Sequence, residues 1–157
     1  MSKTPNHRYN RFRTVSPDVW CSDRPALLSV DQFNASGYGK EDALQIECVK
    51  WFKKQYPELE LLLVHNLNGA ELVNREKQWP HLVKLGAVAG SPDLTLKVPS
   101  GDFGCLEIEV KTRKGKQRPG QRRVELATVK AGNAYVIVRS QAEFERVVTG
   151  YLENGVY

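Results

Sequence analysis

Long hydrophobic runs are missing from this 157-residue chain: the longest aliphatic stretch, Leu61 to Val64, falls far short of the roughly 20 apolar residues that span a bilayer. The first ten residues, MSKTPNHRYN, contain no apolar core of the kind a secretory leader needs. Cysteine is also scarce. Cys21, Cys48 and Cys105 are odd in number, widely spaced and never form C-x-x-C, so neither a disulfide framework nor a zinc site is indicated. No internal repeat and no glycine-rich phosphate loop occurs. These absences lead to the expectation of a soluble, unexported protein in a reducing cytoplasm, with no membrane partner. With 41% hydrophobic and 26% charged residues, the composition fits one globular domain with a real core.

The balance of charge is basic. A formal net charge of +5 and a pI near 9.2 favour an anionic partner, although a solvated basic surface has the same composition. Distribution says more than the total. Arg113, Lys114, Lys116, Arg118, Arg122 and Arg123 follow one another without an intervening acid, as a phosphate-backbone contact requires.

That basic stretch follows directly on two runs of alternating residues. Leu94, Leu96 and Val98 alternate with Thr95 and Lys97; after Pro-Ser-Gly-Asp, Leu106, Ile108 and Val110 alternate with Glu107, Glu109 and Lys111. A period of two predicts half-buried strands, here an adjacent pair forming a hairpin. Glu109 and Lys111 must then share one face while Val110 is buried on the other. Asp93 opens the first strand and can lie beside Glu109. Two neighbouring carboxylates make an oxygen-rich site suited to a hard divalent ion, Mg2+ or Mn2+, which would bind a scissile phosphate. Asp93 and Glu109 are the candidate ligands, and Lys111 the cation that orients water or stabilises charge on the phosphate. Glu107 shares their face but reads as a neighbour.

PD followed by E-x-K resembles the PD-(D/E)xK nuclease superfamily. G-x-x-x-G-x-P-D at Gly86 to Asp93, IEVKT at Ile108 to Thr112, Gly115 and Gln121 narrow the likeness to the VRR-NUC family, the virus-type replication-repair nucleases. The similarity runs from about Glu41 to Leu152 and includes E-x-x-x-Q at Glu41 and Gln45, Trp51-Phe52 and Asn68-Gly69. Two features depart from it: Ala70 stands where the family has a second glycine, and residues 1–38 have no counterpart. The resemblance implies a restriction-endonuclease-like α/β fold with an αβββαβ core. It also implies that the Val110 carbonyl joins the metal ligands and that Glu41 and Gln121 belong to the active-site group. Its further implications are a homodimer that cuts branched DNA such as four-way junctions, in a bacterial or phage-infected cell.

Taken in order, residues 1–39 show no sustained period and form a basic N-terminal arm or irregular cap, with Lys3, Arg8, Arg11 and Arg13 ahead of the first acid. Trp20, Leu27, Leu28, Val30 and Phe33 suggest that its later part packs on the domain or on a partner subunit. Residues 40–157 form the nuclease-like domain. Lys40 to Gln55 carries Leu44, Cys48, Trp51 and Phe52 at helical spacing and stops before Pro57; Leu61 to Val64 predicts a buried strand. His65, with no partner spacing, reads as structural. Pro80 should split Glu71 to Leu85 into two short helical pieces ending at Gly86. A helix is expected from about Gln121 to Ala131, then a strand covered on both faces at Ala134 to Arg139. Ser140 and Glu143 make a capping box for a last helix burying Phe144, Val147, Val148, Tyr151 and Leu152.

The first helix offers three acids. Glu41 and Gln45 lie one turn apart on one face, whereas Glu47 is about 240° around from Glu41, so both glutamates cannot face one site. Glu41 is assigned to the site and Glu47 to the surface or a subunit contact. The sequence thus predicts a metal-dependent DNA endonuclease. A nonenzymatic DNA-binding module and a sequence-specific restriction enzyme are the alternatives, and RNA remains an open substrate.

Overall fold

The computed structural model describes residues 39–67 and 75–155. The expectations for the N-terminal arm and for Asn68-Gly69-Ala70 lie outside these residues. The elements are α1 (Lys40–Gln55), a 3-10 helix (Pro57–Leu62), β1 (Leu63–His65), α2 (Arg75–Lys84), β2 (Leu94–Leu96), β3 (Leu106–Val110), α3 (Pro119–Lys130), β4 (Ala134–Val138) and α4 (Gln141–Asn154). The strands form one sheet in the order β1-β2-β3-β4, antiparallel at the first two junctions and parallel at the third. Parallel strands need a crossover, and α3 supplies it between β3 and β4. This is the expected αβββαβ order, with the 3-10 helix, α2 and α4 added. Among the described residues no helix is long and apolar enough to cross a membrane.

The core forms where two periodicities meet. Leu94, Leu96, Leu106, Ile108 and Val110 are all but inaccessible to solvent, as are Cys48 and Phe52 of α1 and Phe144, Val148 and Tyr151 of α4. Burial of each large apolar side chain contributes on the order of 1.5–3 kcal/mol. Trp51 meets the Phe144 ring edge-on and packs α1 on α4. Cys48 and Cys105 are free thiols, and burial followed by the Glu145 charge pushes Cys48 up to about 12.

Several local expectations needed correction. Leu61 and Leu62 belong to the 3-10 helix, and Leu61 is 78% exposed. Pro57 sits at the helix start with φ already suited to a helical turn, and the turn it begins carries through the leucines before the strand. Arg75–Lys84 is one helix with Pro80 inside it. Proline removes one hydrogen bond there, and the exposed position of Glu76 lets water take that carbonyl. The helix ends at Lys84 and Gly86 closes it in a Schellman motif: φ is 100° at Gly86, whose N–H donates to Val83 while that of Ala87 donates to Leu82. β2 stops at Leu96 and is buried on both faces, as β3 is apart from half-buried Glu107. The two carboxylates of β3 are met by side chains of the protein, Glu107 by the Thr95 hydroxyl and Glu109 by Lys111. β4 is an edge strand whose Val136 and Ile137 are only half-buried. Ser140 accepts the Glu143 N–H at 3.2 Å, but Glu143 reaches back to the N–H of Arg139, one residue before the cap.

Candidate active site

Antiparallel pairing of Leu94 with Ile108 places Asp93, the residue just before β2, across from Glu109 on β3. Asp93 Oδ2 accepts the Val110 N–H at 2.7 Å, which fixes the carboxylate at the end of the strand. Its main-chain carbonyl accepts the Asn66 N–H at 3.0 Å, and His65 Nδ1 lies 3.1 Å from the same oxygen. Gln45 Nε2 is 2.9 Å from that ring nitrogen, so His65 braces α1 against the start of β2.

Glu109 is completely buried, and Lys111 is 8% exposed. Lys111 Nζ lies 2.5 Å from Glu109 Oε1, 3.2 Å from the Val110 carbonyl oxygen and 3.7 Å from Glu41 Oε2. Gln121 Nε2 also donates to Glu109 Oε1, while Tyr135 donates its hydroxyl to Oε2 at 3.3 Å. Burial pushes the Glu109 carboxyl up, the nearby Asp93 charge adds to this, and the hydrogen bonds from Lys111 and Tyr135 oppose it. Glu41, in the first turn of α1, accepts the Thr112 N–H at 3.0 Å through its other oxygen. Gln121, in the first turn of α3, accepts the Arg118 N–H at 2.8 Å. The structure therefore brings together Glu41, Asp93, Glu109, Val110, Lys111 and Gln121. Glu47 pairs instead with Lys50 at 3.0 Å, and Glu107 accepts the Thr95 hydroxyl at 2.6 Å.

The loop before Asp93 meets α3 main chain to main chain. Gly90 has φ of 91°, and a Cβ there would lie 2.5 Å from the Gly120 carbonyl carbon and 2.7 Å from the Gln121 nitrogen. Only a glycine allows this approach.

Comparison with family profiles and with curated proteins gives no match. Among solved structures the chain is similar to a "VRR_NUC domain protein", with a TM-score of 0.60 and 22% identity over 73% of this chain and 90% of that one. The fold is that of a VRR-NUC domain. The motif residues gather where the start of α1, the entry to β2, the exit of β3 and the first turn of α3 meet.

Among the described residues no group of three or more His, Cys, Asp or Glu side chains is arranged to hold a metal. The candidate set in the VRR-NUC fold is smaller: the Asp93 and Glu109 carboxylates and the Val110 carbonyl. It fits a hard cation by the chemistry of its donors, all oxygen, and a cation of the chain itself, the Lys111 ammonium, contacts both Glu109 and the Val110 carbonyl. Arg113, Lys114, Lys116, Arg118, Arg122 and Arg123 are all exposed on the adjoining loop and first turns of α3. Of these, Arg122 pairs with Glu125 at 2.5 Å.

Two residues went unrecognised in the sequence. Arg139 donates through Nη1 to the carbonyls of Thr112, at 2.7 Å, and Gly115, at 2.8 Å, and so anchors the basic loop. Tyr135 bonds Glu109. A lone charge ending an apolar run and a lone hydroxyl within it were the available signals, but their partners depend on strand register.

Proposed function

We propose that the protein is a metal-dependent DNA endonuclease that hydrolyses phosphodiester bonds. The observation that carries the reading is the meeting of buried Glu109, Glu41 and the Val110 carbonyl around the Lys111 ammonium, with Asp93 bonded to the Val110 N–H, beside an exposed basic loop. Asp93, Glu109 and the Val110 carbonyl would hold Mg2+ or Mn2+. When bound, such an ion supplies positive charge to the phosphoryl oxygens and acidity to a water. Lys111 Nζ would hold a water or a phosphoryl oxygen by hydrogen bond, as a pre-set cation does at developing negative charge. Gln121 fixes one oxygen of Glu109, and Glu41 holds the chain just after Lys111. The exposed arginines and lysines neutralise backbone phosphates without reading sequence. Branched DNA, such as a four-way junction, is the proposed substrate class, and a homodimer the proposed assembly; the ordered motif series shared with VRR-NUC nucleases supports both.

Incubating labelled linear, flap, fork and four-way DNA with Mg2+ or Mn2+ tests the reading. Cleavage should stop on chelation and in Asp93→Ala and Glu109→Ala, with circular dichroism unchanged. Full activity in either variant would overturn the metal site, and salt-sensitive retention without cleavage would identify a binding module.

A further inference from the structure

We infer that Tyr135 is a positioning residue for the Glu109 carboxylate; this rests on the metal-site reading above. In the parallel register of β3 and β4, Tyr135 lies beside Glu107, on the face that Glu109 also occupies. Its ring is 7% exposed, and its hydroxyl donates to Glu109 Oε2 at 3.3 Å. Lys111 and Gln121 both engage Oε1. The two carboxylate oxygens are therefore held from different elements, and the plane of the carboxylate cannot turn freely. Orientation of this kind matters because a ligand's outer hydrogen bonds set how well it meets a metal.

Mn2+ binding, followed by the paramagnetic resonance signal of free Mn2+, tests this apart from turnover. Tyr135→Phe removes the hydroxyl and keeps the ring. It should weaken Mn2+ binding about tenfold, leave DNA binding in chelator unchanged, and lower kcat at limiting Mn2+ with recovery as Mn2+ is raised. Wild-type Mn2+ affinity in Tyr135→Phe would overturn the positioning role. Glu109→Ala is the control: Mn2+ binding that survives in it would instead remove the metal-site reading itself.

Discussion

A carboxylate as deeply buried as Glu109 is costly to keep charged, and Lys111 offsets that cost from two residues away. Removing one member of such a pair leaves the other uncompensated. Lys111→Ala should therefore lower stability by about 3 kcal/mol in denaturant unfolding, whereas adding Glu109→Ala to it should recover much of the loss. Strictly additive losses in that cycle would mean the pair is not coupled. The pH dependence has a definite sign. Burial first, and then Asp93, raise Glu109 in the folded protein, so the unfolded chain releases this proton at lower pH than the fold does. Its contribution to metal-free stability is fullest below the ordinary carboxylate range and declines as pH rises through the raised value. Comparing unfolding free energies of wild type and Glu109→Gln across that range should show the wild type losing ground with pH; a gain would contradict the assignment. Glu109 and Lys111 were legible in the sequence because the strand period alone puts i and i+2 on one face, and Asp93 because it opens the alternating run just before theirs. Tyr135 and Arg139 were not, since no local spacing records which strand lies alongside.

At the scale of elements, the basic loop after β3 is held by Arg139 rather than by its own cations. Replacing Arg139 by Met should speed amide exchange at Lys114 and Gly115 while the sheet stays protected, because two loop carbonyls lose their donor. Equal loss of protection in β3 and β4 would make Arg139 a residue of the fold at large. Neutralising Arg113, Lys114, Lys116 and Arg118 should weaken DNA binding irrespective of sequence and flatten its salt dependence by about 0.9 in slope for each phosphate no longer neutralised. An unchanged slope would place the DNA elsewhere, with the N-terminal arm next to be tested. The long helices were readable because their apolar repeats extend over three or more turns: α1 has the expected bounds, and the five side chains expected on α4 are all buried. Short elements were harder to place. Four leucine-rich residues fit a strand and a 3-10 turn equally, and the proline upstream decides between them.

On the scale of the molecule, the site lies where four element ends meet: the start of α1 gives Glu41, the entry to β2 Asp93, the exit of β3 Glu109 and Lys111, and the first turn of α3 Gln121. The αβββαβ order could be read from the sequence, yet the depth to which α3 closes the acid face could not, because it depends on two glycines meeting. Light scattering with and without DNA tests the proposed homodimer, and a monomer in both states would refute it. The meeting of Gly90 and Gly120 also governs how this site can diversify. Position 90 offers no side chain to trim or enlarge, so the spacing between Asp93 and Gln121 is inherited as a loop length rather than as a choice of residue there. Laboratory selection for altered cleavage should accordingly exchange side chains around the site, or lengthen the segments leading to it, and leave residue 90 as glycine.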